Sequence, residues 1–196
     1  MKEALTNFKN IQHSTKEDWQ KIVSVLTPYK LQLHERIIRH LLELKGDFAG
    51  FPVDRLNHSL QTASLAYDDG KDTEYVVCAL LHDIGDTLAS FNHPEYAATL
   101  LQPFVSTMNY NIVKYHGIFQ SHYYGQHIGL TPGKREEFKD EVFYFPTIEF
   151  CEKYDAPAFD QNAKFYPLDF FIPMVEHVFT HPQQALMRNV FKKEGV

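Results

Sequence analysis

Apolar residues recur at helical spacing through most of the chain. In residues 30–45, for example, Leu33, Ile37, Leu41 and Leu44 follow one another at intervals of three or four, which places them on one helix face. An alternating strand pattern of useful length is absent from the sequence. We therefore predict an all-α fold in a single domain. The predicted helices are 14–26, 30–45, 55–67, 73–83, 93–101, 106–115, 134–141, 147–155, 166–180 and 183–193.

Polar caps and proline predict where these helices begin and end. Residues 14–17 have the spacing of a capping box, and Asp54 or Asn57 is expected to cap the third helix. Pro28 is expected to separate the first helix from the second, because proline cannot donate a helical hydrogen bond. The resulting organisation is a loosely held N-terminal arm at 1–13 and one helical domain at 14–196.

Composition narrows the classes of function. No apolar run reaches the length of about 18 residues that a membrane span needs, so we expect no membrane partner. A net charge of −6 argues against nucleic acid as a main partner. Residues 1–10 contain no apolar secretion core, so a cytoplasmic protein is expected. Cys78 and Cys151 lie in apolar surroundings and are expected to be reduced thiols.

The candidate chemistry centres on His82 and Asp83, which follow the apolar run 75–81 and precede Gly85. Gly85 is expected to allow the turn that ends the helix. The side chains of adjacent helix residues point about 100° apart around the helix axis. One metal ion can still bind both, because the imidazole is long and the carboxylate is short. The second oxygen of Asp83 can then reach another ion. Burying this pair without a metal would be costly, because the charge would have no evident partner.

Other histidines and aspartates at helix ends extend the pair to a possible metal site. Imidazole and carboxylate donors without thiolates suit iron, manganese or zinc. On residue type alone, each of these side chains is more often an ordinary core or surface residue. The candidate ligands are His58, His82, Asp83, His93, His116 and Asp155.

These residues resemble the H…HD…D ligand order of the HD-domain superfamily. Residues 57–63 and 80–85 resemble its two core helices, and 93–96, 114–117 and 149–155 are similar in order and spacing to its mixed-valent di-iron oxygenase branch. That branch includes myo-inositol oxygenase and an oxygenase that cleaves the carbon–phosphorus bond of hydroxyphosphonates. The resemblance implies a helical bundle with a dinuclear metal site in its core.

The resemblance, which covers about residues 50–160, also implies cofactors and a reaction. Two iron ions, as Fe²⁺ and Fe³⁺, would use O₂ as co-substrate to cleave a small hydroxylated molecule oxidatively. We expect a small-molecule substrate and a monomer or homodimer. In the implied ligand set, His58, His82 and Asp155 hold one iron, His93 and His116 hold the second, and Asp83 bridges the two.

Three residues depart from the pattern of anion-binding relatives and predict the substrate. Asp86, Gln120 and Glu152 stand where basic residues are found in relatives with anionic substrates. Their loss argues against a phosphonate or a sugar acid and favours an amine or ammonium group facing Asp86 or Glu152. An equal alternative is that Asp86 caps the following loop or orients a histidine. The irregular aromatic stretch 118–133 is predicted to be a lid or pocket wall, and His122 within it is a candidate substrate contact.

Two other functions compete with the oxygenase. A metal-dependent phosphohydrolase of the same superfamily would act on a phosphate ester or nucleotide through a metal-bound hydroxide. The acidic Asp86 and Glu152 disfavour it, although Lys114 and Lys153 remain as anion contacts. A sensor or scaffold without catalysis is disfavoured because the six-ligand set is intact. Elsewhere, His177 is predicted to lie with His181 at a solvated helix end rather than in a metal site.

Overall fold

The computed structural model describes residues 6–131 and 133–183, and within these ranges all regular secondary structure is helical. This confirms the all-α prediction. The predicted helix at 183–193 lies, from residue 184 onward, outside the described residues. The α-helices of the described part are α1 (Lys16–Leu31), α2 (Leu33–Leu41), α3 (Arg55–Asp68), α4 (Thr73–Leu81), α5 (His93–Leu101), α6 (Thr107–Tyr124), α7 (Tyr144–Phe150) and α8 (Leu168–Thr180).

Short helical turns join several of these helices. A 3₁₀ turn at Leu42–Leu44 extends α2, another at Gly125–Ile128 follows α6, and a π-helical turn at Cys151–Asp155 continues α7. The predicted helix at 134–141 is instead a 3₁₀ turn, Lys134–Phe138.

The helix caps are formed by short polar side chains. The capping box at α1 lies one residue later than the predicted 14–17 and pairs Thr15 with Asp18. The Asp18 backbone N–H donates to Thr15 Oγ1 (3.2 Å), and the Thr15 N–H donates to Asp18 Oδ2 (2.9 Å). At α3 the cap is Asp54, whose Oδ1 accepts the N–H of Asn57 at 2.7 Å. Of the two caps proposed for α3, the structure therefore selects Asp54.

The boundary between α1 and α2 differs from the prediction. Pro28 lies inside the last turn of α1, and the helix continues to Leu31. The break comes at Gln32, whose N–H donates to the carbonyls of Lys30 and Pro28. The prediction that Pro28 separates the helices was wrong, because proline near a C-terminus removes only one hydrogen bond and leaves the final turn intact.

Helix α6 is longer than predicted and absorbs the first part of the stretch 118–133. It continues through His116 and Gly117 to Tyr124, and Phe119 within this extension is fully buried. Gly117 does not end the helix; a Cβ at this position would lie 3.1 Å from Cγ of Pro94. The glycine therefore permits close packing of α5 on α6. The prediction that 118–133 is irregular was wrong up to residue 124, whereas its role as a lid or pocket wall stays a prediction.

The core is built around α4. Its residues 76–81 are almost inaccessible to solvent, and α3 and α8 pack against it. Helix α5 packs against α6, which in turn contacts α4 and α7. Ile37, Leu41 and Leu44 are buried in the same core, as their spacing predicted. Among the described helices, none combines the length and apolarity needed to cross a bilayer.

Candidate metal centre

The C-terminal end of α4 points into the centre of the bundle, where five elements converge. The turn that follows α4 carries His82, which is fully buried, and Asp83, whose side chain is 16% exposed. The structure brings all six predicted ligands to this place. They are His58 on α3, His82 and Asp83 after α4, His93 at the start of α5, His116 on α6 and Asp155 in the π-helical turn.

Three of these side chains form a first group. The Nε2 atoms of His58 and His82 lie 3.1 Å apart. Asp155 Oδ1 lies 3.2 Å from His58 Nε2 and 3.6 Å from His82 Nε2. One donor atom from each residue therefore lies within 4.8 Å of the others, a spacing at which all three can hold one metal ion.

Asp83 connects this group to a second one. Its Oδ2 lies 3.4 Å from His82 Nε2 and 3.6 Å from His58 Nε2. Its Oδ1 lies 3.2 Å from Nε2 of both His93 and His116. Each oxygen of this one carboxylate thus faces a different pair of imidazoles, which is the arrangement of a carboxylate placed between two cations.

Three of the imidazoles are oriented by main-chain carbonyls. The Nδ1 atoms of His58, His82 and His116 lie 3.1, 2.8 and 2.6 Å from the carbonyl oxygens of Ala158, Ala79 and Val113. A carbonyl can only accept a hydrogen bond, so Nδ1 carries a proton and Nε2 is the nitrogen available to a metal. Metal-binding histidines are usually held in this way.

The fourth imidazole has a different partner. His93 Nδ1 lies 3.0 Å from Oδ1 of Asp86, whose other oxygen forms an ion pair with Arg55. The Asp86 side chain is only 4% exposed. Because both oxygens are engaged, the structure favours the alternative in which Asp86 orients a histidine over the one in which it contacts the substrate.

The charges of the site also fit a cation. Burial alone would raise the pKa of Asp83, but His82 and hydrogen bonds from His116 and His93 hold it well below its usual range. Burial would also raise the pKa of Asp155, but hydrogen bonds from His58 and His82 have the larger effect and lower it. Both carboxylates are therefore ionised at neutral pH. Asp155 Oδ2 is buried and has no hydrogen-bond partner among the described residues, which leaves a lone pair free for a metal.

The remaining predicted contacts lie at different depths. Gln120 is half-buried, and its Nε2 donates to Asp155 Oδ1 at 2.7 Å, so it holds a candidate ligand. Glu152 is exposed, and burial followed by the charge of Glu152 raises the pKa of Tyr123 to about 12. His122 is exposed beside an outer cavity of about 460 Å³, and none of the six candidate ligands lines that cavity.

Two aromatic residues at the site were missed by the sequence reasoning. The ring of Phe159 stacks on His58 with centroids 4.4 Å apart, and Phe51 stacks on Phe159 at 5.4 Å. Burial and then the charges of Asp155 and Asp83 raise the pKa of Tyr124. Tyr124 lies eight positions after His116, close to two helical turns, and this spacing was an available signal; nothing in the sequence marks Phe159.

His177 on α8 and His181 just after it lie later in the chain than all six candidate ligands. The rings of His177 and His181 are 4.8 Å apart at the exposed end of α8. Among the described residues they do not belong to any group of three possible metal donors. The prediction of a solvated helix end is consistent with this placement.

Comparison with known proteins gives two matches. The model of the HD domain family matches residues 55–141, which contain every candidate ligand except Asp155. The chain is also 33% identical over 89 residues to a [1-hydroxy-2-(trimethylamino)ethyl]phosphonate dioxygenase (glycine-betaine-forming) from Leisingera caerulea. That match covers 39% of this chain and 45% of the relative, so the chain spans less than half of the relative's length.

Proposed function

We propose that this protein, whose residues 55–141 match the HD domain family, is an O₂-dependent di-iron oxygenase that oxidatively cleaves a small hydroxylated substrate. The observation that supports the proposal most directly is the placement of the Asp83 carboxylate, whose Oδ1 and Oδ2 face different pairs of imidazoles. A centre for one ion would leave His93 and His116 without a role. The dioxygenase activity named for the relative supports the oxygenase class.

The donor set fits two irons. His58, His82 and Asp155 would hold the first, and His93 and His116 the second, with Asp83 between them. All six donors are imidazole or carboxylate, a set that suits iron, and the buried lone pair of Asp155 Oδ2 lacks a protein partner in the described residues. The irons would supply the one-electron and O₂ chemistry that side chains cannot perform.

The chain keeps water from one side of the centre and leaves the other open. His82 and Asp155 are completely buried, and His116 is nearly so. The side chains of Asp83 and His93, by contrast, are 16% and 26% exposed. Substrate and O₂ therefore approach from the side of Asp83 and His93, where the second pair of imidazoles lies.

The surroundings of Tyr123 and Glu152 suit a cationic group. Burial and then the charge of Glu152 raise the pKa of Tyr123 to about 12, so its hydroxyl stays protonated near that carboxylate. Tyr124, whose pKa is raised by burial and then by the charges of Asp155 and Asp83, provides a second aromatic ring. Aromatic faces beside a carboxylate attract ammonium groups. We therefore propose a substrate that carries an ammonium group near its hydroxyl, as the trimethylamino group in the relative's name also suggests.

A substrate screen tests this function. Iron-loaded protein is mixed with amino alcohols, with hydroxyphosphonates that carry an ammonium group and with hydroxyphosphonates that lack one, while O₂ consumption is followed. Ammonium-bearing compounds should stimulate O₂ uptake. Turnover of only the ammonium-free phosphonates would contradict the substrate class, and phosphate release from phosphate esters without O₂ uptake would contradict the oxygenase.

A charge variant tests the assignment of Glu152. Glu152→Gln removes the carboxylate next to Tyr123 but keeps the side-chain shape, so KM for an ammonium-bearing substrate should rise by about tenfold, with little change in kcat. Glu137→Gln, at another exposed glutamate, is the matched control and should leave KM unchanged. Equal KM values for the two variants would remove Glu152 from substrate binding.

A further inference from the structure

His93 is held differently from the other three imidazoles of the centre. His58, His82 and His116 present Nδ1 to neutral carbonyl oxygens, whereas His93 presents Nδ1 to the carboxylate of Asp86 at 3.0 Å. A hydrogen bond to an ionised acceptor is roughly twice as strong as one between neutral groups. It also increases the electron density at the opposite nitrogen, Nε2, which faces Asp83.

Asp86 is itself fixed from two directions. Its second oxygen is paired with the guanidinium of Arg55, and its side chain is almost completely buried. Arg55 in turn lies 3.5 Å from Asp47 through its Nε, and its own side chain is 21% exposed. This half-buried cation holds the second oxygen of Asp86 in place. The carboxylate therefore faces His93 in one defined orientation.

The backbone makes this contact possible through Gly85. A Cβ at this position would lie 2.7 Å from the carbonyl oxygen of His93 and 2.9 Å from its Cα. Only glycine lets the start of α5 approach the turn that carries Asp83 and Asp86 so closely. The chain thus brings His93 between these two carboxylates, with one ring nitrogen toward each.

Asp86 is placed to orient a ligand rather than to be one. Asp83, Asp86 and His93 together have donors close enough to hold an ion. However, His93 meets Asp83 through Nε2 and Asp86 through Nδ1, on different sides of the ring. An ion bound to Nε2 beside Asp83 is therefore on the far side of the imidazole from Asp86, whose two oxygens are already engaged by His93 and Arg55.

We propose that Asp86 is a positioning residue: with Arg55 holding it in place, its carboxylate orients His93 and strengthens Nε2 as a donor to the second metal alone. This inference rests on the proposed dinuclear centre. It predicts that the two metal sites respond differently to loss of the Asp86 charge, because the first site contains no imidazole with a carboxylate at Nδ1. Asparagine at position 86 can still accept a hydrogen bond from His93, whereas alanine cannot, so the two variants separate charge from orientation.

The test is a Co²⁺ titration of the full-length metal-free protein, followed by the visible absorption of the bound ion. Wild type should bind two equivalents. Asp86→Asn should weaken the second equivalent by about 10-fold and Asp86→Ala by up to about 100-fold, while the first changes little. The absorption band of the second equivalent should shift, and that of the first should not. Glu74→Gln, a carboxylate-to-amide change outside the centre, is the control and should leave both equivalents unchanged.

The outcomes separate this inference from the proposed function. Two equivalents in wild type with unchanged affinity and spectrum in Asp86→Asn would overturn the role of Asp86 alone. Complete loss of one equivalent at saturating Co²⁺ in Asp86→Asn would also overturn it, since Asp86 would then be a ligand. One equivalent in wild type would overturn the dinuclear centre as well. If Asp86→Asn does not fold, Arg55→Lys keeps the carboxylate and should weaken the second equivalent less than Asp86→Ala does; equal affinities in Arg55→Lys and wild type would then overturn the inference.

Discussion

At the scale of single residues, Asp83 is expected to bind both iron ions and His93 only one. Asp83 faces both imidazole pairs, whereas His93 lies at one end, next to Asp83 Oδ1. Asp83→Ala should therefore reduce bound iron to below one per chain, and His93→Ala should leave about one. His177→Ala, at the exposed end of α8, is the control and should keep two. Iron content per chain is the measurement, and equal iron in the Asp83 and His93 variants would argue against a bridging role.

The sequence was informative about which residues meet and less so about what each one does. All six candidate ligands could be chosen from their order and spacing, and the structure brings them together. The role of Asp86 could not be chosen, because it depends on Arg55 and His93, which lie 31 residues before and seven residues after it. Nor could Gln120 be recognised as a donor to Asp155, since its side chain meets that carboxylate only when α6 packs beside the π-helical turn.

At the scale of elements, the approach of α5 to the turn after α4 depends on Gly85. The backbone of His93 lies where a Cβ would be, so Gly85→Ala must push α5 away. We expect a loss of about 1–3 kcal/mol in the free energy of unfolding, the usual cost of overpacking. Gly125→Ala is the control, because its Cβ would approach side chain atoms of Leu130 at 3.3 Å rather than backbone. Urea unfolding of the metal-free proteins measures both, and an equal effect would contradict the account of Gly85.

The contact between α4 and the start of α6 is predicted to be sensitive to pH. Burial alone would raise the pKa of Glu74, but hydrogen bonds from the Ser106 N–H and the Asn109 and Gln183 side chains lower it below its usual 4.5. A lowered pKa in the folded state contributes stability above the unfolded pKa and loses it as pH falls through the folded pKa.

Glu74→Gln should accordingly lower the free energy of unfolding at pH 7 by about 1 kcal/mol. The difference from wild type should shrink as pH falls below the usual 4.5. Glu43→Gln, at an exposed glutamate, is the control and should change stability little at either pH. Urea unfolding at pH 7 and at acidic pH is the measurement. A difference that grows at acidic pH would contradict the lowered pKa.

Helix boundaries show why local signals are not sufficient. Thr15 and Asp54 begin helices through hydrogen bonds with residues three positions later, so the chain itself predicted both helix starts, the first to within one residue and the second with Asn57 as an alternative. The predicted helix 106–115 ends just before His116 and Gly117, and glycine often ends a helix. The actual role of Gly117 depends on Pro94, which belongs to another helix, and the same packing buries Phe119 and continues α6. Packing between distant segments decided this boundary.

At the scale of the whole molecule, the candidate centre joins the residues that match the HD domain family to the chain that follows them. Asp155 lies beyond residues 55–141, in the turn after α7. The loop after this turn covers His58: the Ala158 carbonyl accepts from His58 Nδ1, and Phe159 stacks on the ring. The matched residues therefore need this later segment to complete the first group of candidate ligands.

The most direct test of the two-metal account is the iron content of aerobically purified protein together with its electron paramagnetic resonance spectrum. The division of Asp83 between two imidazole pairs predicts two irons per chain and the signal of a coupled Fe²⁺/Fe³⁺ pair. Asp83→Ala should hold less than one iron per chain and should give no coupled signal. One metal ion per chain without a coupled signal, together with turnover of phosphate esters, would contradict the account.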